Sequence, residues 1–320
     1  MANDTKMLQA MQPKKGAALF WLRFWKNREL HLMMLLPLIY IIIFEFGPMY
    51  GLQIAFRDYR PRKGIWASEW VWFEHFEEFF KNKLWSTYVL NTARISLYTI
   101  VASFPMPIFL ALVIHINERA KLKKITQNIS YMPHFFSTVI MVGILNQVFS
   151  PVGGIYPQIV KMLGVDRITD LRSDPDAFIH MYVWSGIWQG TGWSAILYVA
   201  ALSGVSTELH EAAKLDGASR WQRVIHVDIP AILPTICMQL ILRCGSILSV
   251  GYEKVYLMQY PQNKDVSEVI STYVYKAGIG QGDLSFGTAV GLMNTVINTS
   301  LVLLVNWITD KLSDGENSLF

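Results

Sequence analysis

The chain has 320 residues and a formal net charge of +4, with 52% hydrophobic and only 16% charged residues. A soluble globular domain carries about a quarter charged residues, so this composition excludes an ordinary soluble protein and indicates one embedded in a membrane. Cys237 and Cys244 stand two helical turns apart, about 10 Å, whereas the Cα atoms of a disulfide lie within about 7 Å. We therefore interpret both cysteines as small apolar residues of the interior.

Six hydrophobic stretches are long enough to cross a bilayer as helices, which takes about 20 residues each. They cover residues 30–56, with an interruption at Gly47-Pro48, and 89–116, 126–149, 178–202, 231–255 and 286–308. Helices are expected because hydrocarbon leaves no water to satisfy an open sheet edge. Pro105, Pro107 and Pro133 predict kinks or helix starts. The predicted fold class is all-α integral membrane, with six transmembrane helices and a cytoplasmic helix-turn-helix.

The distribution of lysine and arginine predicts the orientation, because cytoplasmic loops carry more of both. The short loop 117–125 contains the basic run ERAKLKK and is placed in the cytoplasm with both termini. The chain then divides into a cytoplasmic N-terminal segment at 1–29, a transmembrane domain at 30–310 and a cytoplasmic tail at 311–320. No small-X-small cleavage site follows the first apolar run, so the first span is expected to remain as an anchor.

A spaced motif fills the cytoplasmic loop 207–230 between the fourth and fifth spans. Glu211-Ala212-Ala213 is followed by Gly217 and, at the end, by an apolar-X-apolar-Pro sequence that closes on Pro230. This pattern resembles the EAA loop of permease subunits of bacterial ABC importers. The coupling residues that the resemblance implies are Glu211, Ala212, Ala213, Asp216, Gly217 and Pro230.

Local signals predict how this loop folds. Thr207 is expected to cap a first helix, and Gly217 allows the chain to turn. Ser219 and Gln222 have capping-box spacing and predict a second helix, which Pro230 is expected to end.

The resemblance also implies the partners. They are a second homologous permease, two ABC ATPase subunits that bind ATP and Mg²⁺, and an extracytoplasmic solute-binding protein. The loop would lie in a cleft of the ATPase, with Glu211 facing a basic group there. The solute-binding protein would dock on the outer loops 57–88, 150–177 and 259–285, and the chain would be a multi-pass protein of the bacterial inner membrane.

A second resemblance concerns the cargo. The segment GPMYGLQIAFRDYRPRKGI at 47–65, followed by W-x-W-F-E-H-F-x-x-F-F, is similar to carbohydrate importer permeases. It most resembles the branch for complex oligosaccharides, which includes the importers of alginate and pectin-derived fragments. The implied cargo is an oligosaccharide, with an acidic one as a possibility.

Polar side chains within the spans are candidates for the substrate path, since they are costly in hydrocarbon. Gln239, Arg243, Ser246 and Glu253 are spaced to share one face of the fifth span. Arginine suits a uronate because its fork binds carboxylates bidentately. The candidates are Arg94, Trp188, Gln189, Trp193, Gln239, Arg243, Asn294 and Asn298.

Each candidate has a structural alternative. Trp184 and its neighbours could belong to the aromatic belt at the membrane surface, and Arg94 could extend to the interface. Asn294 and Asn298 could join helices, and Arg243 could form a buried ion pair with a neighbouring helix.

Several motifs are missing from the sequence. G-x-x-x-x-G-K-[ST] is absent, so this chain is not expected to bind ATP. HExxH, GxSxG and CxxC are also absent, and the histidines lack metal-ligand spacing. No catalytic residue, metal or cofactor is expected in the chain itself. A secondary transporter working without an ATPase and a membrane-embedded enzyme remain as alternatives. The GIGQGD stretch at 278–283 is interpreted as a flexible outer turn, and Gly287 and Gly291 as a GxxxG step for close helix contact.

Overall fold

The computed structural model describes residues 25–165 and 168–312, and this part of the chain is almost entirely helical. The predicted N-terminal segment 1–29 and tail 311–320 therefore lie mostly outside the described residues. Two two-residue strands, Arg57–Asp58 and Glu69–Trp70, pair antiparallel. The helices are α1 (Arg28–Ile41), α2 (Gly47–Met49), α3 (Glu74–Lys81), α4 (Trp85–Ser103), α5 (Pro105–Ile116), α6 (Ala120–Tyr131), α7 (Thr138–Val148), α8 (Ile155–Met162), α9 (Pro175–Ser203), α10 (Thr207–Leu215), α11 (Arg220–Arg223), α12 (Ile229–Cys244), α13 (Tyr252–Leu257), α14 (Lys264–Ser267), α15 (Ile270–Val274) and α16 (Leu284–Leu312).

Four continuous helical stretches are long and apolar enough to cross a membrane, and a bent pair makes a fifth if it is counted as one span. The four stretches are Arg28–Phe56, Trp85–Ile116, Arg220–Cys244 and Leu284–Lys311. Helix α9 has 29 residues, about 43 Å of helix, but it is less apolar than these four. The structure therefore supports four or five apolar spans, and the count of six stays a prediction.

Helix α9 is the centre of the molecule. Phe178 and Val183 at its beginning pack in one buried cluster with Ile95 of α4. Tyr198 and Leu202 at its other end pack in a second cluster with parts of α5 and α12. Because its apolar contacts lie on several sides, α9 is held between its neighbours along its whole length.

The first helical stretch is exposed over residues 25–50 within this chain. It runs through Gly47-Pro48, so the predicted interruption there is wrong. A π turn at Ile42–Phe46 precedes the proline and a 3-10 turn at Tyr50–Phe56 follows it. Changes in helix type accommodate the missing proline N–H without breaking the helix. An apolar helix that the chain leaves uncovered is suited to lipid or to another subunit.

The predicted third span at 126–149 is wrong as a single helix. Helices α6 and α7 meet at 99° across a short break. Pro133 lies in the 3-10 turn that ends α6, where its ring and missing N–H disfavour continuation. Ser137 then caps α7 by accepting a hydrogen bond from the backbone N–H of Ile140 at 3.3 Å.

The predicted fifth span at 231–255 is also wrong at both ends. The helix begins earlier, at Arg220, and continues through the π turn Val224–Asp228 and past Pro230, which was expected to end it. It stops at Cys244. Gly245 follows at a point where an added Cβ would overlap the side chain of Val302 in α16. Ser246 and Glu253 consequently do not lie on the helical face that the sequence predicted.

Two asparagines of α16 hold the chain where α12 ends. Asn298 accepts a hydrogen bond from the backbone N–H of Leu248 at 3.1 Å and donates to Ser249 Oγ at 2.8 Å. Asn294 donates to the carbonyl oxygen of Leu248 at 3.1 Å. These bonds satisfy backbone groups that the interrupted helix leaves unpaired.

Glycines bring the 278–283 stretch close to α16. An added Cβ at Gly287 would lie 3.0 Å from the Cα of Gly278, whereas one at Gly291 would meet nothing within 4 Å. Only the first glycine of the predicted GxxxG step makes a close contact within this chain. The stretch begins in a π turn at Tyr275–Gly280 and then leaves the helix at Gly282, which has φ +80°. A turn is therefore present, and its flexibility stays a prediction. Both cysteines are free, as expected.

Candidate functional site

The 207–230 loop forms two helices around a tight turn. Ser206, not Thr207, caps α10, because its side chain accepts a hydrogen bond from the backbone N–H of Glu208 at 3.2 Å. Gly217 has φ +79°, a left-handed conformation that suits glycine. The predicted capping box of Ser219 and Gln222 is present and starts the second helix. Local caps and a glycine turn therefore define the shape of the loop.

Much of this loop's apolar surface is uncovered. Leu215 is 89% exposed, and Leu209, Trp221 and Ile225 are each more than half exposed. The motif residues Glu211, Ala212, Asp216, Gly217 and Pro230 are exposed too, and Ala213 is half-buried. Several large exposed apolar side chains in one short segment are typical of a surface for another protein.

A second feature is a cavity of about 260 Å³ beside α9, lined by both polar and apolar side chains. Arg243 reaches it from α12 and lies 3.5 Å from the hydroxyl oxygens of Ser103 and Ser194. Among the described residues Arg243 has no carboxylate partner, so the structure shows no buried ion pair between Arg243 and a neighbouring helix of this part of the chain. The cavity is lined by Thr99, Ser103, Pro107, Tyr182, Val183, Gly186, Ile187, Gln189, Gly190, Thr191, Ser194, Arg243 and Lys254.

Lys254 is a cation of this cavity that the sequence analysis missed. Its Nζ donates to the backbone carbonyl oxygen of Tyr182 at 2.8 Å and lies 4.7 Å from the centre of the Tyr182 ring. The helix stops at Cys244, and the short helix α13 that follows places Lys254 against α9 at Tyr182. A lysine inside a predicted span was the available signal, but the helical-face argument selected Glu253, which is exposed.

Arg243 also lines two adjoining cavities, of about 230 Å³ and about 120 Å³. Gln239 and Trp193 border the larger of these two. Gln189 borders the 260 Å³ cavity and donates to the carbonyl oxygen of Phe136 at 2.8 Å. Four predicted path residues, Gln189, Trp193, Gln239 and Arg243, thus line the group of cavities that Arg243 borders.

The other four candidates lie elsewhere. Arg94 is exposed, and no hydrogen bond or ion pair of its side chain exists within the described part of the chain. Trp188 is half exposed, with its ring 6.2 Å from that of Phe136. Asn294 and Asn298 bind the interrupted backbone after α12, which matches their structural alternative.

Comparison with known proteins defines the class. Residues 96–314 match the family model "Binding-protein-dependent transport system inner membrane component". This match covers well over half of the chain. The chain therefore belongs to this family of transport permeases, and the alternative of a secondary transporter working alone is not retained.

The chain is similar to two curated proteins of Bacillus subtilis (strain 168) over nearly its whole length. It is 40% identical to Protein LplB over 92% of this chain and 93% of that protein. It is 36% identical to the polygalacturonan/rhamnogalacturonan transport system permease protein YteP, over 98% of this chain and 100% of that protein. Both similarities extend over nearly the whole chain and agree with the family assignment.

Solved structures agree with this assignment. The crystal structure of a bacterial ABC transporter involved in the import of the acidic polysaccharide alginate superposes with a TM-score of 0.82 at 34% identity. The match covers 92% of this chain and 99% of that chain. A crystal structure of bacterial alginate ABC transporter in complex with alginate pentasaccharide-bound periplasmic protein gives the same TM-score at 33% identity, covering 93% and 99% of the two chains.

Proposed function

We propose that this chain forms half of the translocation path of an ATP-driven importer for an acidic oligosaccharide. The observation that carries the proposal is the charge of the 260 Å³ cavity. Among the described residues that line it, Arg243 and Lys254 are cations and none is a carboxylate. A cation inside a membrane protein is costly without a counter-charge, and a carboxylate-bearing cargo would supply one.

The contacts of Arg243 support this role. Its two hydroxyl partners lie at 3.5 Å, which is at the long limit of hydrogen bonding. The guanidinium is therefore held weakly by the protein, and its fork is available for a bidentate carboxylate. Thr99 and Gln189 on the same wall offer hydrogen bonds to sugar hydroxyls, and Trp193 in the adjoining cavity offers a ring face.

The size of the cavities supports a shared path. The cavities of about 260 Å³ and 230 Å³ that Arg243 borders are each smaller than the range of about 300–1,000 Å³ typical of small-molecule sites. A sugar chain would need both, together with space from a second permease. The exposed residues 28–50 of the first helical stretch form a surface where a second permease subunit would pack.

Relatives point to the same cargo chemistry. YteP and the alginate transporter are named for acidic polysaccharides. We transfer the acidic character, not a particular sugar, to this chain. The test is ATP-dependent uptake into proteoliposomes by the reconstituted transporter, comparing uronate oligosaccharides with neutral ones of equal length. Uptake of neutral sugars alone would contradict the proposal.

We propose further that the 207–230 loop docks in an ABC ATPase subunit on the cytoplasmic side. Both termini would lie on that side, ATP and Mg²⁺ would be bound by the two ATPase subunits, and this chain would carry no catalytic residue. The exposed apolar side chains of the loop support the proposed docking. Glu211, in the same loop, would pair with a basic group of the ATPase. A solute-binding protein would deliver the sugar from outside.

Replacing the most exposed apolar side chain of the loop tests the docking. Burying a leucine contributes about 1.5–3 kcal/mol, so Leu215→Ser should weaken ATPase association by about 10- to 150-fold. Leu163→Ser is the matched control, because Leu163 is 75% exposed in an outer loop. Pull-down of the ATPase by the tagged chain measures both variants. Equal retention of the ATPase by Leu215→Ser and the control would contradict the docking surface.

A further inference from the structure

Three side chains distant in sequence meet where the 207–230 loop joins the helical domain. His115 lies at the end of α5, His210 lies in α10 beside Glu211, and Asp228 ends the π turn that precedes α12. Their potential ligand atoms all lie within 4.8 Å of one another. The sequence analysis found no metal-ligand spacing because the fold, and not a local motif, brings these residues together.

The distances are close to those of a metal site. Asp228 Oδ1 lies 3.1 Å from His210 Nε2 and 3.5 Å from His115 Nε2. Zinc bonds to nitrogen and carboxylate oxygen are about 2.0–2.2 Å long, so two ligands of a tetrahedral ion lie roughly 3.3–3.5 Å apart. Small side-chain rotations would therefore direct all three atoms to one ion.

The hydrogen bonding of the cluster is incomplete. Asp228 is 1% exposed, and its Oδ1 has no hydrogen-bond partner; neither has the buried His210 Nε2. The two atoms are close, but their alignment is wrong for a hydrogen bond. A buried carboxylate oxygen without a donor is costly, and a bound cation would satisfy it and the imidazole nitrogen together.

The ligand types select the class of ion. Two imidazoles with one carboxylate suit Zn²⁺ and related transition metals, whereas Mg²⁺ and Ca²⁺ prefer oxygen ligands. The adjoining cavity of about 170 Å³ leaves room for a water as fourth ligand. Arg220 and Arg223 line the same cavity and oppose a cation, although Arg220 is paired with Glu118 at 3.2 Å. This opposition favours reversible binding over a permanent structural site.

We infer that His115, His210 and Asp228 bind a transition-metal ion of the Zn²⁺ class. The ion would link both helices of the 207–230 loop to the end of α5. It would thereby restrain the loop that is proposed to dock in the ATPase. This site is separate from the sugar cavity and does not depend on the identity of the cargo.

The test is Co²⁺ titration of the purified transporter complex, with affinity tags removed, followed by visible absorption and by competition with Zn²⁺. The wild type should bind one Co²⁺ per copy of this chain. His210→Gln and Asp228→Asn should weaken binding by more than the 10- to 100-fold that loss of an outer-sphere partner typically costs. His226→Gln is the matched control, because His226 is exposed and contacts only the carbonyl oxygen of Gln222.

His115→Gln provides a ligand variant on a different helix in case changes within the loop impair assembly, which size-exclusion chromatography will show. Saturable Co²⁺ binding that persists in His115→Gln and His210→Gln would overturn the site. Absence of binding by the wild type would overturn it as well, and would indicate an ion pair between a protonated histidine and Asp228. Zn²⁺ that binds at the site without slowing ATP-driven uptake would overturn the restraining role.

Discussion

A glycine in α9 offers a quantitative test of the packing. A Cβ added at Gly192 would overlap the backbone carbonyl of Ser130 in α6 and lie 3.0 Å from its Cβ. Carbon atoms in ordinary contact lie about 3.5–4.0 Å apart, so α6 would have to retreat. The obstacle is backbone and cannot rotate away. Gly192→Ala should therefore destabilise the fold by about 1–3 kcal/mol, which is the usual cost of overpacking a core.

Gly190 in the same helix is the control, because an added Cβ there meets nothing within 4 Å. Gly190→Ala should be neutral or stabilising by up to about 1 kcal/mol through helix propensity. Thermal unfolding of the purified chain in detergent, followed by tryptophan fluorescence, measures both variants. Gly192→Ala should unfold on the order of 2–6 °C below Gly190→Ala. Equal unfolding temperatures would refute the close contact of α6 with α9.

Two further predictions concern the backbone after α12 and the topology. Asn298→Ala should lower stability by about 1–3 kcal/mol because it leaves a backbone N–H unpaired, whereas Ser300→Ala, which loses only a bond within its own helix, should change thermal unfolding little. In a cysteine-free background, Lys121→Cys should resist a membrane-impermeant thiol reagent in intact cells and Lys161→Cys should react. Labelling at position 121 from outside would contradict the proposed orientation.

The sequence predicted best what depends on local signals. Helix α9 extends only three residues beyond the start and one beyond the end of the predicted 178–202 span. The capping box at Ser219 was predicted because its spacing is local. Such features depend only on the length of a hydrophobic stretch and on the capping residues at its ends.

What the sequence could not predict depends on contacts between distant residues. Hydropathy summed along 231–255 gives no sign that Gly245 must pack against Val302 or that α16 satisfies the freed backbone. The helical-face argument therefore grouped Glu253 with Arg243 and overlooked Lys254. The His115 cluster was missed for the same reason, since its members belong to three separate elements.

The central claim is that this chain carries an acidic sugar past Arg243, and the effect of Arg243→Gln on uptake tests it most directly. A charge-assisted contact is worth about 1.5–3 kcal/mol, so the variant should lose roughly 10- to 150-fold in apparent affinity for a uronate oligosaccharide. Uptake of a neutral oligosaccharide accepted by the same transporter should change little. The apparent affinity of Arg243→Lys for the uronate oligosaccharide should lie between those of the wild type and Arg243→Gln. The quantity to measure is the ratio of acidic to neutral uptake by the reconstituted, fully assembled transporter. We predict that this ratio falls at least about tenfold in Arg243→Gln. An unchanged ratio would contradict the claim that an acidic sugar passes Arg243.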